Sequence, residues 1–150
     1  MSKIGFIGLG IMGAPMAGHL QKAGHQLFVL AGRKIPEEIT KGGAKACQSG
    51  KEIAQNAEIV ILMVPDTPDV DSVLFAADGV AAGLSAGKIV VDMSSISPIE
   101  TKDFARRINE RGCEYLDAPV SGGEVGAKAA SLTIMVGGAE ATFAKVKPLF

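Results

Sequence analysis

The sequence has no tryptophan and a single tyrosine, and aromatic residues make up only 5% of its 150 positions. Its apolar content, 47% of residues, therefore rests on Ala, Val, Ile, Leu and Met. That residue set suits a parallel sheet whose strands are covered on both faces by helices. An excess of charge of one sign is also missing: 15 basic side chains stand against 16 acidic ones, a formal net charge of -1. There is no basic stripe and no run of interleaved aromatics, so nothing in the sequence argues for a nucleic-acid partner. No apolar run reaches the roughly 18–20 residues of a membrane-spanning helix, and no membrane partner is expected. The apolar stretch after Met1-Ser2-Lys3 carries five glycines from Gly5 to Gly18, which argues against a signal peptide. The only two cysteines, Cys47 and Cys113, match neither a metal-ligand spacing nor a redox pair. Two reduced thiols in a cytoplasmic protein are the expectation.

What is present is an alternation. The length suffices for one domain with a real core, spanning residues 1–150, and not for two. Short aliphatic runs predict strands at Lys3–Ile7, Gln26–Leu30, Ala44–Cys47, Glu58–Val64, Lys88–Met93, Glu114–Asp117 and Leu132–Val136. Between them lie helical patterns at Ile11–Lys22, Glu37–Lys41 and Ser49–Asn56, and one that follows a Pro65–Pro68 turn and reaches Phe75. Ser49 with Glu52, and Ser97-Pro98-Ile99-Glu100, read as capped helix starts, the second helix running to about Glu110. Strands alternating with helices predict a doubly wound, mostly parallel α/β sheet of the Rossmann type with helices on both faces. A last helical pattern, Glu140–Phe150, meets no stop signal. Ala141, Phe143, Val146, Leu149 and Phe150 would give it an apolar face, and a chain cut short of a longer parent, or one covering that face by association, is expected.

The first strand ends in Gly8-Leu9-Gly10-Ile11-Met12-Gly13 and a helix follows. Helix N-termini carry unpaired N–H groups and partial positive charge, which attract phosphate. In a dinucleotide-binding βαβ unit the first glycine permits the tight turn, the second the close approach of the pyrophosphate, and the third the packing of helix on strand. Alone, this spacing is weak; between a strand and a helix, with a second strand to follow, it predicts a dinucleotide site. A carboxylate at the end of the second strand would bind the ribose of NAD. Phe28-Val29-Leu30-Ala31-Gly32-Arg33 has none, and Arg33 suits a 2′-phosphate. NADP is therefore favoured over NAD, with dual use open. His19, mid-helix, and His25, just before the second strand, read as structural or surface residues rather than acid–base groups.

Phe6 to Ala17 (FIGLGIMGAPMA) resembles the opening fingerprint of the β-hydroxyacid dehydrogenases, and Asp117-Ala118-Pro119-Val120-Ser121-Gly122-Gly123 resembles their substrate-binding motif. The likeness covers essentially the whole chain, including Met63-Val64-Pro65 and Gly137-Gly138. Within the family, Val64 to Pro68 and Asp92 to Pro98 look most like the branch that reduces tartronate semialdehyde (2-hydroxy-3-oxopropionate) to glycerate with NAD(P)H. The resemblance implies that Met63 and Val64 contact the adenosine-side ribose and phosphates and that Ser95 touches the nicotinamide half. It implies that Ser121, Gly122 and Gly123 hold the substrate carboxylate, where a hydroxyl and two unobstructed backbone N–H groups suit an anion.

Reduction of an aldehyde also needs a donor beside the carbonyl oxygen. In the resembled family that group is a lysine on a helix of a following catalytic and dimerisation domain, and no position here matches it. The implied reading is the cofactor-binding domain of an oxidoreductase whose parent is a homo-oligomer acting on a small hydroxy acid or semialdehyde, with the 150 residues inactive alone. A sibling dehydrogenase for 3-hydroxyisobutyrate, succinic semialdehyde or glyoxylate, and a non-catalytic NADP-binding module, stay open beside it.

Overall fold

The computed structural model describes residues 1–150. Six strands, β1 (Lys3–Ile7), β2 (Gln26–Leu30), β3 (Lys45–Cys47), β4 (Ile59–Leu62), β5 (Ile89–Asp92) and β6 (Glu114–Asp117), form one sheet in the order β3-β2-β1-β4-β5-β6. Every neighbouring pair is parallel. Parallel neighbours cannot be joined by hairpins, so the chain crosses over through helices. These are α1 (Gly13–Lys22), α2 (Glu37–Lys41), α3 (Gly50–Asn56), α4 (Thr67–Phe75), α5 (Val80–Gly83) and α6 (Pro98–Asn109).

Strand side chains alternate between the two faces. In β4, Val60 and Leu62 join the core beneath α3 to α6, where Ile53, Leu74, Val80 and Phe104 are fully or almost fully buried. Ile59 and Ile61 join the opposite core with Ala17 and Leu20 of α1 and Ile39 of α2. Burial on both faces is why these strands read as unbroken aliphatic runs rather than as alternating ones.

The capping signals form in part as expected. The Ser49 hydroxyl accepts from the Glu52 N–H at 3.1 Å and starts α3. The Ser97 hydroxyl accepts from the Glu100 N–H at 3.5 Å, but the return bond of the box is absent. The Ser97 N–H instead donates to Thr67 Oγ1 at 3.1 Å, which ties the start of α6 to α4. The turn expected at Pro65–Pro68 already contains the start of α4, because Asp66 and Asp69 form a reciprocal capping box and Pro68 sits within the first turn. The sequence reading missed α5. It also began α1 two residues early: Ile11 and Met12 belong to the turn.

The segment after β6 differs most. It holds β7 (Val120–Ser121), α7 (Gly123–Ala129), β8 (Thr133–Ile134) and α8 (Glu140–Val146), followed by a 3-10 turn at Lys147–Leu149. The strand expected over Leu132–Val136 shrinks to two residues, antiparallel to β7. Helix α7 was invisible because two glycines in seven residues carry low helix propensity. Helix α8 stops at Val146, ahead of Pro148, whose missing N–H cannot extend the ladder. Its buried residues are Thr142 and Val146, four apart; of the apolar pattern Val146 is buried, Phe143 and Leu149 are half-buried, and Ala141 and Phe150 are exposed.

Candidate functional site

From β1 the chain turns toward β2, and from β4 toward β5 on the other side. This divergence at the strands' carboxyl ends opens a crevice, the usual ligand position in open α/β sheets. A cleft of about 660 Å³ lies there. The turn from Gly8 through Leu9, Gly10, Ile11 and Met12 to Gly13 lines it, as do Arg33 and Lys34 after β2. Met63 and Val64 after β4 and Ser95 after β5 complete the cofactor-binding positions expected from sequence. Lys34 was missed, although its cationic neighbour signalled it.

The three glycines of the turn have different reasons to be glycine. Gly8 has φ +108, and a β-carbon there would overlap the Met63 carbonyl oxygen. A β-carbon on Gly13 would overlap the Gly8 carbonyl oxygen, so this glycine lets α1 pack on the end of β1. Gly10 has no positive φ, and no atom of the protein lies within 4 Å of where its β-carbon would be. The folded chain itself does not require glycine at position 10. The N–H groups of Gly10 to Gly13 donate to no backbone carbonyl, while the Gly10 carbonyl accepts the Ala14 N–H at 3.0 Å. An open cradle beside consecutive free donors at a helix start fits a pyrophosphate.

Ser121, Gly122 and Gly123 are not brought into this cleft. Ser121 pairs with Thr133 between β7 and β8, and Gly122 (φ +137) and Gly123 (φ +63) open α7 in backbone conformations that favour glycine. All three are exposed. Helix α7 is moored to α1 through the His19 ring, whose Nε2 lies 2.8 Å from the Ala127 carbonyl oxygen. His25 Nδ1 accepts the Ser2 N–H at 3.0 Å. Both histidines thus make backbone bonds beside a second, apolar cavity of about 280 Å³ between α1 and the C-terminal segment. Lys128 pairs with Glu124 one turn away. The two thiols are free and buried, and burial pushes both above the ordinary thiol range.

Behind the cleft lies a polar network of Tyr115, Asp92, Ser94 and Val64, in which Tyr115 had no signal in the sequence. Asp92 closes β5 and is fully buried. Its Oδ1 accepts the Ser94 N–H and its Oδ2 accepts the Tyr115 hydroxyl, both at 3.0 Å. The Ser94 hydroxyl in turn accepts the Val64 N–H at 2.9 Å. Burial pushes the Asp92 carboxyl above the usual carboxylate range, against the pull of the Ser94 and Tyr115 hydrogen bonds. Burial first and Asp92 second push Asp117 up as well, and the Tyr115 phenol rises for the same two reasons. A lone Asp ending the aliphatic run Ile89-Val90-Val91 was the available signal.

The family described as the NAD binding domain of 6-phosphogluconate dehydrogenase matches residues 3–150. The chain belongs to the β-hydroxyacid dehydrogenase family. It is 55% identical over 148 residues to 2-hydroxy-3-oxopropionate reductase of Escherichia coli (strain K12), covering 99% of this chain and 51% of that one. The structure of Mycobacterium tuberculosis 3-hydroxyisobutyrate dehydrogenase with L-serine superposes with a TM-score of 0.85 at 35% identity, over 99% of this chain and 50% of the other. A structure of Psf3 with NADP+ and 2-OPP superposes with a TM-score of 0.90 at 28% identity, covering 97% of this chain and 52% of that one. The chain thus spans about half the length of the relatives it matches. It is the NAD(P)-binding domain of an oxidoreductase family, with no helix long and apolar enough to cross a membrane.

Proposed function

We propose that the chain is the cofactor-binding half of an enzyme that reduces tartronate semialdehyde to glycerate, with NADPH preferred to NADH. The observation that carries the cofactor reading is Gly10, open on every side yet glycine. The substrate reading rests on the 55% identity to a 2-hydroxy-3-oxopropionate reductase. In this reading the N–H groups of Gly10 to Gly13 bind the pyrophosphate, and Met63 and Val64 flank the adenosine-side ribose. Arg33, with Lys34 beside it, meets the 2′-phosphate. Ser95 lies at the nicotinamide end, and Ser121, Gly122 and Gly123 hold the substrate carboxylate. The chemistry a bound nicotinamide supplies is hydride transfer to the aldehyde carbon; the protein's share is position and charge. The donor to the carbonyl oxygen is a lysine of a following helical domain, which also supplies the subunit contacts of a homo-oligomer in the cytoplasm.

Titration of the chain with NADPH and NADH by nicotinamide fluorescence tests the cofactor half. A charge-assisted contact to the 2′-phosphate contributes about 1.5–3 kcal/mol, so Arg33→Ala weakens NADPH about 10- to 100-fold and leaves NADH nearly unchanged. Equal or tighter NADH binding, indifferent to Arg33→Ala, overturns the preference. For the substrate half, the parent enzyme is assayed with tartronate semialdehyde, 3-hydroxyisobutyrate, succinic semialdehyde and glyoxylate. The highest kcat/KM is expected on the first. A sibling substrate in first place overturns that assignment, and turnover of none identifies a binding module.

A further inference from the structure

Asp92 is a buried carboxyl group where the sheet calls for an aliphatic side chain. Its register partner in β4 is Leu62, and Val90, two residues earlier on the same face, belongs to the core beneath α3 to α6. Its partner in β6 is Asp117, a second carboxylate, so the position is doubly unfavourable for charge. No salt bridge compensates its burial, and hydrogen bonds to the Ser94 N–H and the Tyr115 hydroxyl are its side-chain partners.

The bonds it makes point outward to the cleft. Oδ1 fixes the Ser94 N–H, the Ser94 hydroxyl fixes the Val64 N–H, and Val64 is a wall of the cleft. Ser95, the next residue after Ser94, is another. Tyr115 holds the other carboxylate oxygen from β6. We infer that Asp92 is a positioning residue: with Tyr115 as its anchor and Ser94 as its relay, it sets the loops after β4 and β5 at the distance a dinucleotide needs. It touches no ligand itself. The inference rests on the cofactor reading of the cleft.

The test is the double variant Asp92→Leu with Tyr115→Phe, which removes the carboxylate and the hydroxyl bonded to it and frees the Ser94 N–H. Thermal midpoint, NADPH affinity by fluorescence titration and hydrogen exchange at the Val64 amide are measured together. The expected result is a chain that still unfolds cooperatively, NADPH binding weakened tenfold or more, and faster exchange at Val64 with Val29, in β2, unchanged. Ser94→Ala carries the same test with a smaller change to the core and is expected to weaken NADPH at least threefold with the midpoint nearly kept. Binding within twofold of the unmodified chain in either folded variant overturns the inference while leaving the cofactor reading intact. If the unmodified chain binds neither NADPH nor NADH, the cofactor reading fails first and the inference with it.

Discussion

Gly10→Ala separates what the fold needs from what the ligand needs. At this position φ lies outside the left-handed region and no protein atom comes within 4 Å of the added methyl. The unliganded chain should therefore tolerate alanine, and the reduced freedom of the unfolded chain stabilises it by about 0.4–1 kcal/mol. For a domain of this size that raises the thermal midpoint by about 1–4 °C. Binding moves the other way. The methyl stands where a phosphate must approach and displaces it from one or two backbone N–H donors at about 1.5–3 kcal/mol each, so NADPH affinity falls at least about tenfold and as much as about ten thousandfold. Gly13→Ala is the contrast, since its methyl overlaps the Gly8 carbonyl oxygen and presses on the Phe6 ring at 3.2 Å. Overpacking of that kind costs about 1–3 kcal/mol in the unliganded chain. The assays are thermal melts without ligand and fluorescence titration with NADPH. If Gly10→Ala destabilises the unliganded chain as much as Gly13→Ala, or if it binds NADPH as well as the parent sequence does, then Gly10 is not glycine for a ligand's sake and the argument collapses.

Ser49→Ala should lower stability by about 1 kcal/mol, because the Glu52 N–H loses its cap; a thermal midpoint lowered by less than a degree would show that the cap contributes nothing. Burial raises Asp92 in the folded chain, so the neutral acid is the form folding favours. Its contribution is full below the unfolded aspartate value of about 3.9 and is lost as pH rises through the higher folded value. The stability of Asp92→Asn relative to the parent sequence should therefore climb from acid toward neutral pH in urea titrations, and a gap that does not vary with pH would contradict this.

The sheet was legible because both its faces are covered. Runs such as Ile59 to Leu62 had to be aliphatic throughout, and the glycine turn fixed which strand came first and where the crevice would open. The segment after β6 was not legible for the opposite reason. Its elements are two to seven residues long, α7 is rich in glycine and alanine, and its placement is set by a long-range bond from His19 rather than by local propensity. Sequence periodicity cannot show a tether across more than a hundred positions. The same holds for the site. Arg33 was readable as the residue after a strand that lacks its carboxylate. Lys34 was signalled only by the cation beside it, and Asp92 only by its place at the end of an aliphatic run; its bond to Tyr115, twenty-three residues on, had no signal in the sequence.

The groups with shifted carboxyl and phenol chemistry lie behind the cleft rather than in it, and that placement bears on division of labour. Perturbed side chains often mark catalytic sites, but Asp92 and Tyr115 are buried with their polar atoms engaged, which leaves no proton at hand for a substrate. They sit instead where the backbone leaves β5 for Ser95 and β6 for the loop that carries Ser121. The Asp92 carbonyl accepts the Ala118 N–H at 2.8 Å, and Asp117 exchanges backbone bonds with Gly137 on the far side of that loop. One buried carboxylate thus stands at the junction between the segment proposed for the cofactor and the segment proposed for the substrate. In the proposed reading, in which this domain binds and positions its ligands, a buried carboxylate at that junction couples the two segments through the backbone.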